Sequence, residues 1–142
     1  MTTAARPHAA RPRRALSIAL WVAQVLLAAM FLMAGFMKLT QPVDALAGQM
    51  PWVLAVPVAL VRFIGAAELA GALGLLLPSL TRIQPRLTVL AALGIILLQI
   101  LAGVFHLSRG EGDVLPMIAV FIALAGFVAW GREKARPVTP RA

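Results

Sequence analysis

A chain of 142 residues has room for one domain, and 61% hydrophobic residues with a mean hydropathy of +0.92 make it much more apolar than a water-soluble domain, which runs at about 45–50%. Its 13 Lys and Arg outnumber 5 Asp and Glu, but they gather in the tails and one loop, which fits an anionic membrane leaflet and speaks against nucleic acid as a partner. Cysteine is absent and His106 is the only imidazole outside the N-terminal tail, where His8 lies, so thiol–disulfide exchange, iron–sulfur ligation and a multi-histidine metal site within one copy are excluded.

In chain order, residues 1–14 carry Arg6, Arg11, Arg13 and Arg14 and read as a disordered basic tail. Residues 15–37 hold no formal charge, a run long enough to span a ~30 Å hydrocarbon core at ~1.5 Å per residue. The run exceeds the about 7–15 apolar residues of a secretory signal and ends in Phe36-Met37-Lys38-Leu39 rather than a small-residue cleavage site, so a retained first helix is predicted. Residues 40–56 follow as a loop with Pro42, Asp44, Gly48, Pro51 and Trp52, part of it expected as a short amphipathic turn at the surface.

The second helix is predicted over 57–77, opening at Pro57 and stopping before Pro78, and it contains Arg62 and Glu68. A basic turn with Arg82 and Arg86 leads to a third helix over 87–107, whose strongly polar residues are Gln99 and His106. After a loop at 108–113, a fourth helix over 114–130 is expected to be short for a span, with Pro116 in its first turn and Trp130 as an interfacial anchor. Residues 15–131 thus form the membrane domain, and 132–142 a basic C-terminal tail. The fold class is an all-α, integral membrane four-helix bundle with up-down-up-down topology. Ten Lys and Arg lie in the tails and the middle loop, against only Lys38 and Arg109 at the alternate loops, which predicts cytoplasmic N and C termini.

Ionisable groups inside a bilayer cost about 2.5–3.5 kcal/mol each on insertion scales, so they face the bundle interior and pair. Glu68 is expected near the midplane, on a face where Gly65, Gly71 and Ala72 let another helix approach. Arg62 lies ~9 Å nearer the outer end and is rotated away by roughly 120°, so a partner on another helix suits it better. Lys38 and His106 end their helices at a similar depth, and the stripes Gln24, Ala28, Phe31, Gly35, Lys38 and Gln99, Ala102, Gly103, His106 point inward. The expectation is an outward-opening polar pocket, with Glu68 at its floor and Lys38, Arg62 and His106 at its rim.

The structural alternative stands beside it: a Glu68–Arg62 ion pair that locks packing, a snorkelling Lys38, and His106 at an ordinary helix end. Gln24 and Gln99 are expected to make interhelical hydrogen bonds, and Met30, Met33 and Met37 to pack. No metal set and no nucleophilic catalytic set is found, since Ser108 beside His106 has no GxSxG-type context. The chain reads more readily as a protein without independent enzyme activity.

The segment Ala34-Gly35-Phe36-Met37-Lys38-Leu39 is echoed by Ala102-Gly103-Val104-Phe105-His106-Leu107, an echo that chance explains as well as duplication does. The first of these, with Arg62-Phe63-Ile64-Gly65-Ala66-Ala67-Glu68-Leu69-Ala70-Gly71, Leu75-Leu76-Leu77-Pro78 and the helix end at His106, resembles the DoxX-like family of small four-helix bacterial membrane proteins over about residues 16–130. The resemblance implies a multi-pass protein of the bacterial inner membrane, sometimes tied to redox or sulfur metabolism, with relatives that look like small subunits of quinone-linked oxidoreductases. Thiol-handling relatives use cysteines, which this sequence lacks.

The leading expectation is therefore a lipophile- or quinone-binding protein or accessory subunit of a membrane redox system. Glu68, Arg62, His106, Lys38, Gln99 and Gln24 are its candidate ligand-binding or proton-exchange residues, quinone its candidate cofactor, and the lipid bilayer its surroundings. A membrane or soluble redox partner, or a second copy of the chain, is the expected protein partner. The rivals are a small proton-coupled transporter or efflux component, and a structural anchor for a soluble partner.

Overall fold

The computed structural model describes residues 10–141. Arg6 and His8, in the tail expected to be disordered, lie outside them. Among the described residues the fold is all-helical: α1 (Ala10–Thr40), a short α2 (Val43–Ala47), a 3₁₀ turn (Pro51–Ala55), α3 (Val58–Thr81), α4 (Arg86–Ser108), a second 3₁₀ turn (Gly112–Val114), α5 (Leu115–Trp130) and a closing π turn (Gly131–Ala135). Four stretches are long and apolar enough to cross a membrane: Arg13–Thr40, Val58–Thr81, Arg86–Ser108 and Gly112–Ala135. The last corrects the expectation of a short fourth span, because the turns flanking α5 extend its helical run.

The long helices form a ring in which α1 packs on α3 and α5, and α4 packs on α3 and α5. In lipid the apolar surface gains little by helix association, so close approach of backbones over small residues must supply the contact. α1 and α3 meet in this way: a Cβ on Gly35 would lie 2.7 Å from the Gly65 carbonyl oxygen and 2.9 Å from the Leu69 nitrogen. α3 and α4 close over Gly71 against Ile95 and Gly74 against Ala91. Leu27, Leu75, Ile95 and Val128 fill the centre, and Phe31 meets Phe121 edge to face at 5.4 Å. Phe63, Leu97 and Val104 face outward and are exposed, as lipid-facing residues must be.

Three sequence expectations are corrected. α1 starts at Ala10, so residues 10–14 are helical rather than tail. α3 does not stop before Pro78 but runs through it to Thr81. Proline inside a helix removes the N–H that would bond the carbonyl four residues earlier, here that of Gly74, and packing against neighbouring helices lets a membrane helix continue through it. Close by, Gln24 Nε2 of α1 donates to the Leu75 carbonyl at 2.6 Å and ties this part of α3 to α1, and Thr81 Oγ1 back-bonds to the Leu77 carbonyl at 2.7 Å. Finally, residues 131–135 are an ordered π turn in which Arg132 is buried, not part of a tail.

The connection between α1 and α3 is also ordered. Leu46 of α2 and Val53 of the 3₁₀ turn are wholly buried against Val61 of α3. This small apolar cluster pins the loop onto the bundle end, and so fixes where Trp52 sits.

Candidate functional site

The close α1–α3 crossing decides the chemistry at its centre. Gly65 leaves space for the Lys38 β-carbon and the Gly35 carbonyl, since a Cβ on Gly65 would lie 2.8 Å from the first and 3.0 Å from the second. One turn along, Lys38 Nζ meets both carboxylate oxygens of Glu68 at 2.8 Å, and both residues are buried. Lys38 is therefore not a snorkelling residue, and Glu68 takes Lys38 rather than Arg62 as its partner. Arg62 Nη1 instead donates to the Lys38 main-chain carbonyl, one of the carbonyls a helix leaves unpaired in its last turn, where a cation also suits the helix dipole.

His106 comes to the same end of the bundle from α4. Gly110 at φ +73° ends that helix, with Gly110 N donating to the Leu107 carbonyl at 3.0 Å and Glu111 N to the His106 carbonyl at 2.9 Å. This reversal is a Schellman motif. It folds Glu111 back so that its carboxylate lies 2.6 Å from His106 Nδ1 and 2.8 Å from Arg109 Nε. The His106 hydrogen bond, against some desolvation and aided by Arg109, holds the Glu111 carboxyl below its ordinary value of 4.5. His106 also stands edge-on to Trp52 and Phe105, at ring separations of 6.5 and 5.6 Å, and Lys38 Nζ lies 5.9 Å from the Trp52 ring centre.

Between these groups lies a cavity of about 560 Å³, within the about 300–1,000 Å³ of small-molecule sites. Its polar lining includes Lys38, Glu68, Gln99 and His106, and its apolar lining includes Met30, Met37, Phe31 and Phe121. Exposed residues such as Met33, Phe63 and Leu101 stand in its wall, so it reaches the apolar flank of the bundle. Arg62 is not part of the lining. The Met stripe expected only to pack therefore also forms a wall.

Gln24 is a second departure. It shares a face with Lys38, but fourteen positions of helix separate them, about 21 Å at ~1.5 Å per residue. Gln24 lies at the other end, bonded to the Leu75 carbonyl and to Ser79 Oγ at 3.4 Å, with Ser79 Oγ 2.8 Å from Thr88 Oγ1. Arg132 Nε donates to Gln24 Oε1 at 2.6 Å and completes a buried network. Among the described residues no cluster of His, Cys, Asp and Glu is arranged to hold a metal ion.

Residues 22–128, most of the chain and all of the residues just described except Arg132, match the model of the DoxX-like family. The chain belongs to the DoxX-like family. With its four spans, this DoxX-like protein is a multi-pass membrane protein. No curated protein and no solved structure matches it.

Trp52, Glu111 and Arg132, with Ser79 and Thr88 of the Gln24 network, are the members of these clusters that sequence reasoning left out. Arg109-Gly110-Glu111 carried a usable signal for Glu111, since glycine just past a helix end favours the reversal that returns the next residue to the last turn. Trp52 was legible only as an interfacial ring. Its place in the cavity follows from the burial of Leu46 and Val53, which no local pattern specified.

Proposed function

We propose that this DoxX-like protein binds a quinone-like lipophile, as an accessory subunit of a redox system in the bacterial inner membrane. The observation that carries the reading is an apolar cavity of about 560 Å³ with a buried Lys38–Glu68 ion pair in its wall. A lysine ammonium has three N–H donors. Two are directed at the Glu68 oxygens, which leaves one for a carbonyl oxygen on the ligand's head. Glu68 is the matching acceptor for a hydroxyl on the reduced head, and Gln99 adds an amide to the wall. Met and Phe side chains suit a flexible apolar tail. The excess of Lys and Arg at the Gln24 end supports placing that end, and both termini, at the cytoplasmic face.

The test compares lipophiles that co-purify with the wild-type chain and with Lys38→Met/Glu68→Leu, which removes both charges together. A quinone-class compound retained by the wild type and lost from the double variant is expected. Equal recovery from both, or bulk phospholipid alone, overturns the reading.

A proton-coupled transporter is the second reading, and the same ion pair favours it, because buried charges in a span also serve as coupling groups. Proton-gradient-driven flux into vesicles, abolished by Glu68→Gln, would replace binding with transport as the function of this site.

A further inference from the structure

The end of the bundle away from the cavity holds a charge that its surroundings do not balance. A Cβ on Gly131 would collide with the Leu20 side chain, so the end of α5 is pressed directly onto α1. The π turn that follows carries Arg132 inward, where it is 6% exposed. Nε is taken by Gln24 Oε1, and the guanidinium lies 4.8 Å from the Trp21 ring centre. Nη2 is buried and has no hydrogen-bond partner. Among the described residues no carboxylate forms an ion pair with Arg132, and its charged neighbour is a second guanidinium, that of Arg136.

Leaving a buried charge unpaired is costly, and the cost is removed when an anion completes its hydrogen bonds. Arg136 closes the π turn, its N–H bonded to the Gly131 carbonyl at 2.6 Å, and is half-buried. Beyond it the chain returns to the α3–α4 turn, where Arg141 N donates to the Arg82 carbonyl at 2.9 Å. This tie keeps the segment, with its further positive charge, on the same end of the bundle. A guanidinium offers paired donors that match the geometry of phosphate oxygens. Basic pockets at helix ends of membrane proteins meet such oxygens in lipid headgroups.

We propose that Arg132 and Arg136 form a site for the phosphate of an anionic phospholipid headgroup. The site is separate from the cavity and does not depend on what the cavity holds. The headgroup phosphate neutralises the two guanidiniums, and Trp21 flanks it. Inorganic phosphate offers the same oxygens, and the test separates the two sources.

Thermal unfolding of the full chain in dodecyl maltoside is followed with added phosphatidylglycerol, phosphatidylcholine or inorganic phosphate. Phosphatidylglycerol is expected to raise Tm saturably, and phosphatidylcholine and inorganic phosphate at equal concentration to leave it unchanged. Arg136→Gln should weaken the phosphatidylglycerol response about fivefold, as loss of one basic group near the surface does, and Arg132→Gln about tenfold or more. If Arg132→Gln does not fold, Arg136→Gln decides. An equal response to phosphatidylcholine, or an unchanged phosphatidylglycerol response in the variants that fold, overturns the site. The same rise from inorganic phosphate alone overturns the headgroup as its source.

Discussion

The two ends of the bundle hold similar numbers of buried polar groups and use them in opposite ways. At the Lys38 end a cation and an anion balance one another at 2.8 Å beside an open cavity. At the Gln24 end a neutral network of Gln24, Ser79 and Thr88 packs around one unbalanced guanidinium and bonds the Leu75 carbonyl. A buried polar residue in a membrane helix is thus not by itself a functional signal. What distinguishes the ends is that one has polar groups facing empty space, and the other has them filling it.

The largest effect should come from breaking the balanced pair. Lys38→Met leaves the Glu68 carboxylate buried and unpaired, and should cost about 3–5 kcal/mol, whereas Lys38→Met/Glu68→Leu should recover most of that. Denaturant unfolding in detergent micelles measures both, and equal costs for the single and double variants would show that the two charges are not coupled. Next comes the crossing that positions the pair. Gly35→Ala drives a Cβ against the α3 backbone and should cost about 1–3 kcal/mol. The control Gly94→Ala, with nothing within 4 Å of the added carbon, should be neutral or slightly stabilising. Similar losses for both would refute close packing as the cause.

At the other end, Gln24→Leu should lower stability by about 0.6–1.7 kcal/mol, the scale of interhelical hydrogen bonds in membranes, and leave cavity ligands unaffected. A lipophile lost from this variant would erase the distinction between the two ends. The smallest effect concerns the rim of the cavity. Because the Glu111 carboxyl is held below its ordinary 4.5, chiefly by its hydrogen bond with His106, folding favours its ionised form. That contribution is complete above about pH 4.5 and is lost as pH falls through the lowered value. Glu111→Gln should therefore lower Tm slightly above about pH 4.5, flatten the acid side of the profile and converge with the wild type at the lowest pH. An unaltered acid limb would remove Glu111 from the account.

Much of this was legible in the sequence. Long apolar runs bounded by prolines and charged loops marked the four spans, and glycines near Glu68 marked a face for close approach, which Gly65 provides to α1. Gly71 serves α4 instead, because flanking residues on one helix turn toward different neighbours. The stripe from Gln24 to Lys38 gave a face but not a partner, since periodicity is blind to which neighbouring group waits at each depth. Pro78 misled because local propensity ends a helix there, whereas contacts with the other helices hold α3 through it, among them the bond of Gln24, more than fifty residues earlier, to the Leu75 carbonyl. Arg132 misled for the converse reason: its neighbours in sequence are charged, and only the contact of Gly131 with Leu20 turns it inward.

The central claim is that the cavity beside Lys38 and Glu68 binds a lipophile, and Trp52 in its wall is a built-in reporter. With Trp21 and Trp130 replaced by Phe, titration with decylubiquinone in detergent should quench Trp52 fluorescence saturably. The saturable component should vanish in Ala102→Phe, which adds bulk to the cavity lining and keeps both members of the ion pair in the sequence. Quenching that rises linearly with quinone and is identical in both chains would be simple partitioning into the micelle, and would contradict the account.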